Sequence, residues 1–292
     1  MGRRLAERLL DAGHDVRCMV RDRSRAQDLE RMGCEVHEGN VLQPWSLKDA
    51  GTGVDIAYYL VHSMGRGGKD DYRSRDREGA SAFAQMARRE GVDRVVYLGG
   101  LGDNPRSEHL RSRHETAETL AREGPPLTYL RAAMVVGAGS ESYKTLRYLV
   151  ERLPAMIAPA WLSTKTQPIA VDDVLSYMEQ APAVPESAGR EIQIGGPDVL
   201  SYGDMLDRMA DVLGRRRRLK VPVPFLSPRL SSLWIGLVTP VDPGVARPLI
   251  EGLSTPTVVT DPSGAALFDV DPLPLDEALR RAYAEEQQAA AA

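Results

Sequence analysis

The chain has 292 residues, 42% hydrophobic and 27% charged, enough for one large α/β domain or one domain with a smaller satellite. A net charge of −4, from 37 Lys and Arg against 41 Asp and Glu, gives no reason to expect nucleic acid, which needs a concentrated basic face. Cys18 and Cys34 are too few for a disulfide framework or a metal cluster; no metal site is expected, and both read as buried thiols of a reducing cytoplasm.

The elements follow in chain order. GRRLAERLLDAG, residues 2–13, places Leu5, Leu9 and Leu10 on one helical face and ends at Gly13, a suitable C-cap. The segment lacks the apolar core of a signal peptide. HDVRCMVRD is a short strand, SRAQDLERMG a helix capped by Ser24, CEVHEGNV a strand and turn, and WSLKDAG a short helix. VDIAYYLVHSM is apolar almost throughout, as a buried central strand is. A glycine-rich loop at residues 65–69 leads into a long helix over 70–90, then the strand DRVVYLGGLG, the helix SEHLRSRHETAETLARE and the strand LTYLRAAMVVG. Five parallel strands at this spacing predict an α/β fold with a doubly wound parallel sheet.

After Gly139 the texture changes to prolines and longer loops, with helices near 143–152, 172–180 and 202–213 and a further strand in EIQIGG. The division expected is a nucleotide-binding domain over residues 1–140, a substrate or lid lobe over 141–260, and a partly disordered extension over 261–292 ending in the low-complexity AEEQQAAAA. The arginine run 215–218 reads as a solvated helix end. Residues 230–241, LSSLWIGLVTPV, are too few to cross a bilayer, which leaves peripheral membrane contact open.

A nucleotide-binding βαβ unit opens with a strand, then a glycine turn, then a helix whose N-terminus faces the diphosphate. Here the helix comes first, and Gly2 stands where the last glycine of that turn belongs. The expectation is a unit that starts inside its own phosphate loop and lacks its first strand. A mis-assigned start is preferred to a natural remnant, because losing a central strand exposes both neighbouring edges.

The segments VRD (20–22), EGNV (38–41), YYLVHSM (58–64), VVYLGGLG (95–102), HLRSRHETAE (109–118), LRAAMVVGAGS (130–140), LRYLVERLP (146–154), QPIAVDDV (167–174), IGGPDVLSY (194–202) and LSSLWIGLVTPV carry a resemblance in their order and spacing. From Arg21 to about residue 260 the chain resembles the atypical short-chain dehydrogenase/reductase superfamily, in its NAD(P)H-binding, NmrA-like and complex-I-subunit-like branch. The resemblance implies a Rossmann-type fold and a cofactor cleft. Its expected lining is Gly2, Arg21, Asp22, Asn40, Val41, Leu60, Val61, His62, Ser63, Gly99 and Gly100. Arg21, at the end of the second strand of such a fold, is placed to pair with a 2′-phosphate, which favours NADP while leaving NAD open. Competing readings are a plain surface charge for Arg21 and a satisfied core histidine for His62.

Members of this superfamily that dehydrogenate alcohols use a Tyr-x-x-x-Lys pair on one helix. In the register of the resemblance those positions are Leu110 and His114, and glycines replace the usual serine. His114 is the remaining candidate for proton transfer, against a solvated helix residue. The loop GAGSESYKTLRYL implies a substrate pocket from Ser140, Ser142, Tyr143 and Arg147, closed by Trp161 and Gln167; core packing competes for Tyr143 and Trp161. The function expected is oxidoreduction of a small or quinone-like acceptor. The alternative is a non-catalytic NAD(P)H-binding redox sensor or assembly partner, and a nucleotide-sugar epimerase, which needs the missing tyrosine, ranks last.

Overall fold

The computed structural model describes residues 1–62, 71–103, 107–152, 155–158, 160–222 and 252–291. Ser63, the glycine-rich loop at 65–69 and the apolar stretch at 230–241 lie outside the described residues. The first half alternates α1 (Gly2–Asp11), β1 (Arg17–Val20), α2 (Gln27–Arg31), β2 (Glu35–Glu38), β3 (Ile56–Tyr59), α3 (Asp71–Arg89), β4 (Arg94–Gly100), α4 (Glu108–Glu123) and β5 (Leu127–Ala132). Then come β6 (Val135–Val136), α5 (Glu141–Arg152), β7 (Ala155–Ala158), β8 (Lys165–Thr166), β9 (Ile169–Ala170), α6 (Val171–Gln180), β10 (Glu191–Ile194), β11 (Leu200–Ser201), α7 (Tyr202–Val212), β12 (Leu219–Pro222) and α8 (Leu275–Ala291).

Alternation along β4 explains the layering. Val95 and Tyr97 face one side, where Ala80, Phe83, Ala84 and Ala87 of α3 and Ala117 and Leu120 of α4 complete a core. Val96 faces the other side, against Leu5 and Leu9 of α1 and Val174, Leu175 and Met178 of α6. Apolar residues on both faces of one strand require helices on both faces of its sheet, and that makes the fold doubly wound. Each large side chain so buried contributes about 1.5–3 kcal/mol. Alanines line α3 where it meets α4 and let the two helices approach closely.

The parallel sheet is in two blocks. β3, β4, β5 and β10 form a four-stranded sheet in the order β10-β5-β4-β3, and β1 and β2 pair with each other. Among the described residues, neither β1 nor β3 has a strand partner on its second edge. The place between them is where the doubly wound pattern puts its first strand. α1 lies beside it: a Cβ on Gly2 would stand 3.8 Å from Leu60 Cδ1, just past β3.

Three local expectations are corrected. The N-cap after β1 is Asp22, which accepts from Ser24 N at 3.0 Å ahead of a short 3-10 turn (Arg23–Arg25); α2 starts later, at Gln27. The strand after α4 stops at Ala132, and β6 pairs instead with β9. The C-terminal residues are helical through Ala291 rather than frayed. Leu275, Ala278, Leu279 and Ala282 of α8 are buried with Tyr143, Leu146 and Leu149 of α5 and Met205, Leu206 and Met209 of α7. α8 also holds α1 and α5, through Glu285 with Arg4 and Glu286 with Arg147, the latter at 2.6 Å.

Candidate functional site

Parallel strands end together, so the segments after β1, β2, β3 and β4 meet at one edge of the sheet with the start of α1. The first helical hydrogen bond, Leu5 N to Met1 O at 3.0 Å, leaves the N–H groups of Gly2, Arg3 and Arg4 ahead of it, as a diphosphate site requires. Three arginines follow β1. Arg23 pairs with Glu30 and Arg25 with Asp22, whereas Arg21 is exposed and has no ion pair among the described residues. An unpaired cation there fits a 2′-phosphate. The Asp22 carboxylate is engaged by Ser24 and Arg25, and Ser24 holds it below the usual carboxylate range.

Asn40 folds its side chain back, Oδ1 accepting from Leu42 N at 3.1 Å, while its own N–H donates to Ser46 Oγ at 2.8 Å. Val41 is buried against α3: a Cβ on Gly79 would come within 2.8 Å of Val41 Cγ2. Leu60, Val61 and His62 leave the end of β3; Leu60 is half-buried and the other two are exposed. Gly99 and Gly100 have packing reasons of their own. A Cβ on Gly99 would stand 2.5 Å from Tyr129 Cε2, and one on Gly100 2.6 Å from Leu110 Cδ2. Tyr97 and Tyr129 stack with centroids 5.4 Å apart beneath them.

α4 fixes the chemistry of this edge. Leu110, Ala117 and Leu120 point into the core, and Ser112 donates to Asp76 Oδ2 of α3 at 2.8 Å. His114 is used by the fold: Nε2 lies 3.2 Å from Gly102 O and Nδ1 3.5 Å from Tyr129 OH. Nε2 donates to the Gly102 carbonyl and Nδ1 faces the Tyr129 hydroxyl, so both ring nitrogens are engaged. Beside it, Arg131 of β5 is buried and donates to Gly102 O and Asp103 Oδ1 at 2.9 and 3.0 Å, with Glu191 as a second ion partner. His114 and Arg131 together hold the turn after β4.

Beside His114 on α4 lies a group that the sequence assigned to the solvated helix surface. Arg113 Nη1 donates to Leu98 O at 2.9 Å, near the end of β4. Electrostatic contact joins Arg113, His109 and His62. Desolvation by the surrounding protein, and next the Arg113 charge, push the half-buried His109 down to about 3; His62, which keeps solvent contact, feels the same two effects less and is pushed down to about 4. Both rings are therefore neutral at physiological pH. Once packing turns Leu110, Ala117 and Leu120 inward, His109 and Arg113, four residues apart, fall on the same side of α4.

Most of the residues expected around a substrate pocket serve capping and packing. Ser140 caps α5, its Oγ accepting from Tyr143 N at 3.1 Å. Tyr143 is fully buried in the core of α5, α7 and α8, and Arg147 pairs with Glu151 and Glu286. Ser142 is half-buried on α5. Trp161 meets Tyr202 edge-on with centroids 6.2 Å apart. Gln167 Nε2 donates to Gly196 O at 2.8 Å and its Oε1 accepts from Val259 N at 2.9 Å. A surface groove of 540 Å³ lies elsewhere, between the segment after β2, α3 and the end of α4.

Among the described residues no helix is long and apolar enough to cross a membrane. The protein is 23% identical over 232 residues to the photosystem II assembly factor Ycf39 of Cyanophora paradoxa, covering 77% of this chain and 70% of the relative. It shares its fold with the Citrobacter sp. triphenylmethane reductase complexed with NADP(H), at 16% identity, 95% coverage of each chain and a TM-score of 0.75. It likewise resembles the NADPH-dependent quinone oxidoreductase of Escherichia coli complexed with NADPH, at 17% identity, 96% coverage of this chain, 95% of that one, and a TM-score of 0.74. The model of the NAD(P)H-binding family matches residues 1–147, half of the chain, and the protein belongs to that family.

Proposed function

We propose that the protein is an NADPH-preferring oxidoreductase that reduces a small or quinone-like acceptor at the strand ends after β3 and β4. The unpaired Arg21 at the end of β1 carries the preference, because its charge suits the phosphate that distinguishes NADP from NAD. The adenosine end would lie along Arg21, Asp22, Asn40 and Val41, the diphosphate at Gly2, and the nicotinamide end near Leu60 to His62, Ser63 and the Gly99–Gly100 turn. Residues 1–140 are then the cofactor domain, 141–260 the substrate lobe and 261–292 its extension. Ser140, Ser142, Tyr143, Arg147, Trp161 and Gln167 act mainly through that lobe's packing.

NADPH, when bound, supplies a hydride. The chain's residues hold the acceptor and offset the negative charge that develops on it. His114 keeps the turn after β4 in place instead of moving a proton, since both ring nitrogens are already engaged. Titrating NADPH and NADH, followed by NADPH oxidation against a panel of quinones and dyes, tests this reading. Saturable NADPH binding with turnover on at least one acceptor is expected.

The assembly-factor relative favours one second reading, a non-catalytic NAD(P)H-binding partner of other proteins. Tight NADPH binding with no turnover on any acceptor would select it and reject the enzyme.

A further inference from the structure

At the cleft edge, α4 presents a guanidinium and an imidazole one turn apart. Arg113 donates to Leu98 O, lies against the Tyr97 hydroxyl and forms no ion pair among the described residues. His109 has no hydrogen-bond partner among them either, while neighbouring Glu108 and Glu115 are taken by Arg73. Asp76 of α3 is the carboxylate that acts on His62, and its Oδ2 already accepts the Ser112 hydroxyl. A cation without a counter-ion, beside two neutral imidazoles, is a set of donors awaiting a negative oxygen.

We propose that His109 and Arg113 form an oxyanion-holding pair selecting acceptors whose reduced form is a delocalised oxyanion, a quinone above all. His109 donates its ring N–H, and Arg113 its remaining guanidinium N–H groups, to the same acceptor oxygen. The inference rests on the oxidoreductase reading above and narrows its substrate class. A hydride from NADPH is delivered to one quinone oxygen, leaving NADP⁺; the π electrons shift through the ring onto the opposite oxygen and give a delocalised quinol monoanion, which takes its proton from water and leaves hydroxide. A simple ketone would give a far more basic alkoxide that needs an acid at hand. Neither a neutral imidazole nor a guanidinium gives up a proton at neutral pH. The pair therefore serves quinones and fails ketones.

The test has a binding arm and a turnover arm on the full-length protein. In the first, para-nitrophenol, whose ionised form is read by absorbance, is titrated in the presence of NADP⁺. Wild-type protein ionises the bound phenol at lower pH than in free solution; H109F and R113M lose that shift, while H109Q and R113K keep most of it. In the second, a naphthoquinone and cyclohexanone are compared. Quinone turnover falls at least about tenfold in H109F and R113M, NADPH affinity stays within about twofold in H109F, and cyclohexanone is not reduced. The pair is overturned if both variants ionise the phenol as wild type does, or if the ketone is reduced as fast as the quinone. NADPH binding without turnover on any quinone overturns the oxidoreductase reading instead, and the nitrophenol arm still judges the pair.

Discussion

Arg21 and His109 show what single residues contribute here. Arg21→Glu removes a charge that no carboxylate among the described residues neutralises, so its cost appears in the ligand. NADPH affinity should fall by roughly tenfold or more, about 1.4 kcal/mol or greater, with NADH affected less. Equal losses for the two nucleotides, measured by fluorescence titration, would detach Arg21 from the 2′-phosphate. His62 and His109 have folded-state values below the ordinary imidazole value, so the unfolded chain binds protons first as pH falls. Stability is therefore complete above about 6.5 and declines as pH drops toward 4 and then 3, the values to which the two rings are pushed down. Urea unfolding at a series of pH values should show that decline, and H62Q/H109Q should flatten it. Arg21 was legible in the sequence because a strand end and a cation suffice to raise it. His109 was not, because the register of a helix face is set by what it packs on. Leu110 fits over Gly100 only because that residue has no Cβ, and a neighbour ten positions away in sequence decides which side of α4 meets the cleft.

Elements were read well wherever period and punctuation agreed. α1 ends at Gly13, whose φ of +86° is the left-handed conformation its position as a stop demands. β4 shows the buried run of a central strand. The glycines that end β4 looked like a cofactor approach, and the structure gives them Tyr129 and Leu110 as neighbours. Gly99→Ala should cost about 1–3 kcal/mol by overpacking against the Tyr129 ring, seen as a lowered thermal midpoint. An unchanged midpoint would mean the tyrosine yields freely. α8 was misread for a physical reason: alanine-rich composition hides periodicity, yet Ala278 and Ala282 are core residues because small side chains allow close helix contact. Leu279→Ala should destabilise by about 2–5 kcal/mol, a loss that a frayed tail could not produce.

The whole molecule is a doubly wound α/β protein whose sheet is divided between β1 and β3, with a second core built by α5, α7 and α8. The alternation of strands and helices behind the parallel sheet was legible in the sequence. The partners of the expected pocket residues were not, since Arg147 and Gln167 found theirs more than ninety positions away in Glu286 and Val259. Amide exchange should follow the division. β4, flanked by β3 and β5, should be the slowest-exchanging strand, and the β1–β2 pair should lose protection first. Uniform protection across the two blocks would argue for one continuous cooperative sheet.

All of these features converge on a nucleotide at the strand ends. The most direct measurement is equilibrium titration of the full-length protein with NADPH and NADH at physiological salt. The account predicts saturable one-site binding, with NADPH tighter by roughly tenfold. Failure to bind either nucleotide would contradict it.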